Sequence, residues 1–242
     1  MRPKRRHHFF LVTIILLVVV LLASIVALWL RGFRWQDLGK TTATVTTPTL
    51  AVWAVQVPDY TAKMDAYKTA VSYSASGWAE YVKSDREQWS WLAAVYPDQE
   101  TVELVTQDSS LPSDVETHLY QINGKDFNLA VDIAPICQNV LTTIQTITTQ
   151  LQTLRAALTQ QATQQNILIE LSNSYNALKD AVTTLQQINQ DSKSQFLACL
   201  IYSANINILY LTAVVQPTSD GAVYLSKVNT ALINNIFSLD NF

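Results

Sequence analysis

LAVWAVQV, the stretch from Leu50 to Val57, decides the fold of this chain. It is rich in β-branched and aromatic residues, which favour a strand. Trp53, Val55 and Val57 recur at every second position and therefore share one face of that strand. We predict that helices cover this apolar face and that Gln56 lies on the opposite, open face of a sheet.

The residues after this strand alternate between helix and strand patterns. The predicted elements are a helix over 62–74, strands over 78–82 and 89–96, a short helix over 97–106 and a strand over 115–122. With the first strand, the order is strand, helix, strand, strand, helix, strand. That order is typical of the split βαβ, or ferredoxin-like, arrangement.

This segment resembles a family of bacterial envelope modules, the SPOR domains. WAVQV, from Trp53 to Val57, is similar to the aromatic-x-Val-Gln-Val pattern of their first strand, and Trp91 to Pro97 is loosely similar to their third strand and its turn. SPOR domains share the order of elements and bind peptidoglycan glycan strands stripped of their stem peptides. The resemblance covers residues 50–122, so residues 50–124 are predicted to form a SPOR-like α/β module.

The resemblance implies a glycan-binding site on the sheet face that carries Gln56. The residues it implies for glycan binding are Gln56, Ala54 and Leu92. Sugars suit flat surfaces that offer amide hydrogen bonds and aromatic rings. The alternative interpretation of Gln56 is an ordinary solvated strand residue.

Residues 125–242 predict a helical domain. Two runs of apolar residues in this half step by three and four, the spacing of a heptad seam. The first run is Val140, Ile144, Ile147, Leu151, Leu154 and Leu158, and the second is Leu168, Leu171, Tyr175, Leu178, Val182 and Leu185. The runs predict an antiparallel bundle or coiled-coil hairpin, which buries its seams internally or against another copy.

Two stretches of this half leave alternatives open. The polar residues within 158–167 lack glycine and proline, so they form either a hairpin loop or the middle of one long helix. FLACLIYSANINILYLTAVV, from Phe196 to Val215, is uncharged and long enough to span a membrane. It contains Asn205 and Asn207, which would need internal partners in lipid. We therefore expect a helix buried in the bundle.

A second apolar run, from Phe9 to Leu30, holds 22 residues without a charge, of which 17 are Leu, Ile, Val or Phe. As a helix it reaches about 33 Å, enough to cross a hydrocarbon core of about 30 Å. The run predicts a transmembrane signal anchor in the lipid bilayer, with a cleaved signal peptide as the alternative.

The basic tail, residues 1–8, predicts a cytoplasmic N-terminus and a single-pass protein with an extracytoplasmic body. The Thr-rich residues 31–49 predict a linker.

Charge and cysteine content limit the partners and the cross-links. The net charge is −3 although the tail contributes four positive charges, so the body is acidic and no nucleic acid partner is expected. Cys137 and Cys199 are the two cysteines. A disulfide between them is allowed outside the cytoplasm. The alternative is two free thiols, since both cysteines lie among apolar residues and a buried thiol behaves as a small hydrophobe.

The sequence offers little support for catalysis. His118 is the only histidine outside the tail, which excludes a zinc site built on two histidines, and it is interpreted as an ordinary strand residue. Six carboxylates near the predicted hairpin are either an acid/base set for a glycosidase or a solvated acidic surface. They are Glu80, Asp85, Glu87, Asp98, Glu100 and Glu103. The acidic surface is the favoured interpretation, so no enzyme, catalytic residue, metal or cofactor is expected.

Together these patterns predict an α+β protein with an N-terminal transmembrane helix, a SPOR-like module and a helical bundle or coiled-coil hairpin. The leading functional hypothesis is a bacterial cell-envelope protein that binds peptidoglycan glycan and acts in cell-wall localisation at division or sporulation sites. The alternative is a structural or interaction protein whose helical domain forms a homo-oligomer or binds a membrane protein, without glycan binding. An envelope hydrolase is a third, more distant hypothesis.

Overall fold

The computed structural model describes residues 42–85 and 88–242. The predicted span from Phe9 to Leu30 lies outside these residues, as do the tail 1–8, residues 31–41 of the predicted linker, and Arg86 and Glu87. The residues from Thr42 to Phe242 belong to a single unit. Its largest core cluster contains residues of both the strands and the C-terminal helices.

The described chain is a mixed α+β structure, as the sequence predicts. Its elements, in order, are β1 (Thr42–Thr46), β2 (Leu50–Tyr60), α1 (Lys63–Ser74), β3 (Tyr81–Asp85), β4 (Gln88–Tyr96), α2 (Gln99–Val105), β5 (Glu116–Ile122), β6 (Asp126–Ala130), α3 (Ala134–Thr159), α4 (Gln165–Ser192), α5 (Gln195–Val214) and α6 (Gly221–Ser238). A short 3-10 helix, Leu239–Asn241, follows. From β2 to β5 the observed order is strand, helix, strand, strand, helix, strand, which confirms the predicted order of elements.

Four of the strands form an antiparallel sheet in the order β3-β4-β2-β5. Trp53 of β2 lies opposite Tyr96 of β4 on one side and Leu119 of β5 on the other. β2 is therefore an inner strand. Its residues from Ala54 to Val57 are all buried, as expected for a strand covered on both faces of the sheet.

α1 and α2 cover one face of this sheet. Val55 and Val57 of β2 share a core cluster there with Ala70 of α1 and Val102 of α2. Trp91 of β4 is fully buried in the same cluster. The prediction that helices cover the Trp53, Val55 and Val57 face is therefore confirmed.

β1 and β6 form a separate two-stranded antiparallel sheet. The structure therefore corrects two predictions, because residues 42–46 are a strand instead of linker and residues 126–130 are a strand instead of helix. Threonine favours strands through its branched Cβ, and alternation places Val45 in the core. The pairing is reinforced by Thr44 Oγ1, which donates to Asn128 Oδ1 at 3.0 Å.

α3 and α4 form an antiparallel hairpin that buries both predicted seams. Of the twelve seam residues, nine are buried and Leu158, Leu168 and Tyr175 are partly buried against the same core. Between the helices, residues 160–164 form a turn, so the predicted alternatives for 158–167 resolve to a hairpin connection. Gln161 adopts a φ of 53° within that turn.

α5 packs its inner face into the bundle, as expected for the uncharged run from Phe196 to Val215. Its buried residues include Phe196, Leu200, Ala204 and Leu211. By length and composition alone, α5 is also apolar enough to cross a membrane. An 18-residue stretch of it has a mean hydropathy of 1.6, and 39% of that stretch is buried inside the protein.

α6 is the central helix of the molecule. Thirteen of its 18 residues are buried, and it packs against α3, α5 and the sheet. The carboxylate of Asp220 caps its N-terminus, accepting from the amides of Ala222 at 3.0 Å and Val223 at 3.1 Å. A helix buried on nearly every side links the bundle to the sheet.

Candidate functional site

Gln56, Ala54 and Leu92 lie together on one face of the sheet, as the resemblance implies. Gln56 and Leu92 are directly opposite each other on β2 and β4. Gln56 is only 4% exposed, and Ala54 and Leu92 are fully buried. The prediction that Gln56 lies on an open face is therefore wrong, because the chain's own C-terminal helices cover that face.

The side chain of Gln56 is hydrogen-bonded at both ends within the protein. Its Nε2 donates to Glu116 Oε1 at 2.8 Å, and its Oε1 accepts from the hydroxyl of Tyr120 at 2.6 Å. Both neighbours belong to β5. The Gln56 amide, which the glycan hypothesis predicts to bind a sugar, is therefore already hydrogen-bonded to adjacent side chains.

Phe237 of α6 seals this face with aromatic contacts. Its ring stacks on Tyr81 with centroids 5.8 Å apart and meets Tyr120 edge to face at 5.1 Å. The ammonium of Lys83 lies 4.8 Å from the centroid of the Phe237 ring and 3.6 Å from Asp240 Oδ2. Aromatic pairs of this kind add to the free energy of burial, so the cover is a packed interface.

Amide and hydroxyl side chains fix α6 on both sides. Asn229 Nδ2 donates to the carbonyl of Gly77 at 3.0 Å, and the backbone amide of Glu80 donates to Thr230 Oγ1 at 2.8 Å. On the bundle side, Asn235 Nδ2 donates to the carbonyl of Ile144 at 3.2 Å. These bonds set the position of α6 along its axis relative to both layers.

The turn that receives Asn229 explains the glycine at position 77. Gly77 has a φ of +96°, in the region that side chains rarely adopt. A Cβ there would also lie 3.0 Å from Leu225 Cδ2 of α6. The close approach of this turn to α6 therefore depends on glycine.

Two polar residues of α5, Ser203 and Asn207, have hydrogen-bond partners inside the bundle. Ser203 Oγ donates to the carbonyl of Ser238 at 2.6 Å, and Asn207 Nδ2 donates to Ser238 Oγ at 3.0 Å. Both side chains are buried between α5 and α6. Asn205, by contrast, is exposed on the outer side of α5.

Arg155 is a buried charge that the sequence patterns do not reveal. Its Nη1 donates to the carbonyl of Val95, and its guanidinium lies 4.1 Å from the centroid of the Tyr96 ring. Burial lowers the pKa of Arg155 and raises that of Tyr96, an increase that the nearby Arg155 charge opposes. The residue attaches α3 to the end of β4, which is a structural role.

The structure does not contain the predicted alternative of a disulfide between Cys137 and Cys199. Both are free thiols, Cys137 in the first turn of α3 and Cys199 on α5. Cys137 is fully buried, and burial raises the pKa of its thiol to about 11. It packs in the core as a small hydrophobe, the other alternative considered for it.

The four candidate acid/base carboxylates whose side chains the structure describes are all exposed: Glu80, Asp98, Glu100 and Glu103. Asp98 caps α2 by accepting from the amide of Thr101 at 2.8 Å, which lowers the pKa of its carboxyl. Glu103 accepts from Gln99 Nε2 at 2.6 Å, and Glu80 and Glu100 are exposed. Glu87 and the side chain of Asp85 lie outside the described part of the chain.

His118 is exposed on β5, where its ring centroid lies 4.5 Å from that of Tyr120. Within residues 42–85 and 88–242, the structure brings together no group of three or more His, Cys, Asp or Glu residues able to hold a metal ion.

Two helices, α1 and α5, each carry more than one large apolar side chain that is exposed. On α1, Met64 and Tyr67 are 61% and 45% exposed. On α5, Tyr202 and Leu209 are 57% and 66% exposed. The lack of charge between Phe196 and Val215 is the sequence signal for this exposed α5 surface, because an uncharged run is apolar on its outer side as well as on its buried side.

No family model, curated protein or solved structure matches this chain.

Proposed function

We propose that the chain is a membrane-anchored, extracytoplasmic envelope protein whose body is an interaction module, and that it does not bind glycan through the face carrying Gln56. The burial of Gln56, Ala54 and Leu92 beneath α6 carries the part of this proposal that concerns glycan. A sugar chain needs an accessible surface, and this one is occupied by Phe237 and its neighbours. The proposal corresponds to the interaction-protein alternative of the sequence analysis.

The segment β2-α1-β3-β4-α2-β5 is proposed to have a SPOR-like, ferredoxin-like fold. Its order of elements and its antiparallel strand order β3-β4-β2-β5 support that assignment. α6 then occupies the face that the resemblance assigns to glycan. In this proposal the SPOR-like segment is one layer of a larger structure that includes the C-terminal helices.

Anchoring is proposed through the run from Phe9 to Leu30. Eleven residues separate Leu30 from the first residue of β1. Fully extended, eleven residues reach at most about 40 Å. The body would therefore work close to the bilayer surface.

Pelleting with peptidoglycan sacculi tests the proposed lack of glycan binding. The full-length chain in mild detergent is centrifuged with sacculi before and after an amidase removes the stem peptides, beside Gln56→Ala and the matched variant Gln121→Ala, at an exposed position on β5. We expect no increase on stripped sacculi for any of the three. Pelleting that increases on stripped sacculi and is lost only in Gln56→Ala would overturn the proposal.

Labelling with a membrane-impermeant maleimide tests the proposed side of the membrane. Asn173 is exposed on α4, so Asn173→Cys in a Cys199→Ser background offers one accessible thiol, since Cys137 is buried. We expect this thiol to react in intact spheroplasts. Reaction only after lysis would place the body in the cytoplasm and contradict the proposal.

A further inference from the structure

The outer side of α5 carries a row of exposed residues at heptad spacing. Ala198, Tyr202, Asn205, Leu209 and Thr212 step by four, three, four and three residues, and all five are exposed. We call these five residues the outer seam. The same spacing in α3 and α4 marks faces that pack against other helices, so the outer seam has the geometry of a helix-packing face without a covering helix among the described residues.

The chemistry of the outer seam differs from that of an ordinary solvated helix face. α5, from Gln195 to Val214, contains no Asp, Glu, Lys or Arg. Helix faces in contact with water normally carry charged residues. Two copies of α5 can therefore lie side by side without placing like charges against each other.

The outer seam has a similar order of residue sizes in both directions from Asn205. Around Asn205, large side chains lie three and four residues away, at Tyr202 and Leu209, and smaller ones lie seven residues away, at Ala198 and Thr212. An antiparallel pair with its twofold axis at Asn205 therefore places the two Asn205 side chains against each other and Tyr202 of one copy near Leu209 of the other. A twofold contact uses the same patch on both subunits.

A hollow beside the outer seam adds an independent observation. It has a volume of about 520 Å³, lies between α4 and α5, and is lined on the α5 side by Ala198, Ile201, Tyr202 and Asn205. Asn189 of α4 also lines it, and its Oδ1 has no hydrogen-bond partner within the described part of the chain. A side chain from another chain that enters the hollow therefore meets amide groups as well as apolar ones.

We propose that the outer seam is a homodimer interface, in which α5 of a second copy packs antiparallel across Asn205 and places a side chain in the hollow. The paired Asn205 amides can hydrogen-bond to each other at the axis and fix the register, as a single polar seam residue does in coiled coils. The amides of Gln186, Asn189 and Asn205 favour a protein over lipid at this surface, because polar groups in lipid need partners.

The size of this contact predicts its strength. One helix pair is smaller than the roughly 800 Å² per partner of a standard stable interface. Association is therefore weak for free chains and stronger for chains confined to one membrane, where the effective concentration is higher. This gain rests on the proposed anchoring.

Cysteine cross-linking of the full-length chain in membranes tests the dimer. In a Cys199→Ser background, Asn205→Cys places two thiols at the axis, and Asn173→Cys is the matched asparagine variant on the outer side of α4. After mild oxidation we expect at least tenfold more covalent dimer for Asn205→Cys than for Asn173→Cys. Equal yields would overturn the proposal.

A charge in the outer seam provides the second arm of the test. Leu209 is 66% exposed, so Leu209→Lys is expected to leave the unfolding midpoint unchanged. Added to Asn205→Cys, it should reduce the dimer yield to that of Asn173→Cys, because it introduces like charges near the axis. An undiminished yield would overturn this interface.

The labelling experiment on Asn173→Cys separates this inference from the proposed anchoring. If Asn173→Cys reacts from outside and Asn205→Cys does not cross-link, the dimer is wrong and the anchoring stands. If Asn205→Cys cross-links and Asn173→Cys reacts only after lysis, the dimer stands and the proposed location is wrong.

Discussion

The two faces of the four-stranded sheet are covered in different ways. The face with Val55 and Val57 is covered by α1 and α2, which are close in sequence, through an apolar cluster centred on Trp91. The face with Ala54 and Gln56 is covered by α6, about 170 residues further along the chain, through aromatic rings and buried amides. The first cover follows from local sequence patterns, whereas the second depends on long-range packing.

The way this second face is covered also indicates whether Gln56 packs inside the protein or binds a ligand. A polar residue on an open sheet face is available to a ligand, whereas Gln56 is held by Glu116 and Tyr120 beneath Phe237. If the face carrying Gln56 is a packing surface, substitutions there should lower the free energy of unfolding. The loss should be larger when a whole ring is removed than when one hydrogen bond is removed.

Phe237→Ala is expected to have the largest effect, because it removes the ring that packs on Tyr81 and Tyr120. Truncation of a buried phenylalanine costs about 3–5 kcal/mol. Urea denaturation of the full-length chain in detergent measures the loss. Leu104→Ala, at a side chain that is 65% exposed, is the control and should change stability by less than about 0.5 kcal/mol. Equal effects at both positions would mean that α6 does not cover the sheet.

Gln56→Ala is expected to lower the free energy of unfolding by about 1–3 kcal/mol, because Glu116 and Tyr120 each lose a hydrogen-bond partner. The same denaturation experiment measures it beside Gln121→Ala, the exposed glutamine of β5. If both variants unfold at the parental midpoint, Gln56 is a solvated residue and the face is open.

Tyr120→Phe sharpens the comparison further, because it keeps the ring against Phe237 and removes only the hydroxyl that donates to Gln56. Loss of one such hydrogen bond costs about 0.5–1.5 kcal/mol. In a double-mutant cycle with Gln56→Ala, the two losses should add to more than the loss in the double variant. Strict additivity would show that the two side chains do not interact.

Alkaline pH is expected to weaken the packing around α6. Burial is the main cause that raises the pKa of Tyr81 to about 12 from its ordinary value of 10.0, with smaller contributions from neighbouring acidic groups. The folded chain therefore keeps this proton more tightly than the unfolded chain, so the stabilisation is complete below pH 10 and is lost as the pH rises toward 12. Between pH 10 and pH 12 the melting temperature should decrease less for Tyr81→Phe than for the parent chain. Identical slopes would contradict the burial of Tyr81.

Much of the fold could be predicted from the sequence because local patterns encode it. The order of elements between Leu50 and Ile122 and the two seams of α3 and α4 follow from periodicity at two and three-to-four residues. β1 was missed because a short Thr-rich stretch has the composition of a linker, and only its pairing with β6 about 80 residues away makes it a strand.

For the candidate site, the sequence predicts correctly that Gln56, Ala54 and Leu92 share one face of the sheet, and predicts wrongly that this face is open. The alternation of Ala54 and Gln56 with the apolar residues of β2 shows which face they share, and the sheet bears this out. Alternation cannot show what packs on that face. The sequence of α6 contains no signal for this role, because Asn229, Thr230 and Asn235 are residue types expected on a solvated helix face. In the structure they instead bond to backbone carbonyl and amide groups.

Hydrogen exchange of the full-length chain is the most direct test that α6 covers the sheet. If α6 is an integral layer, peptides from β2 and from residues 228–237 should be protected to a similar degree and lose protection together as urea is added, because they open as one unit. Exchange of residues 228–237 that is at least a hundredfold faster than that of β2 would show that α6 leaves the sheet on its own, and that the face carrying Gln56 is open to a ligand.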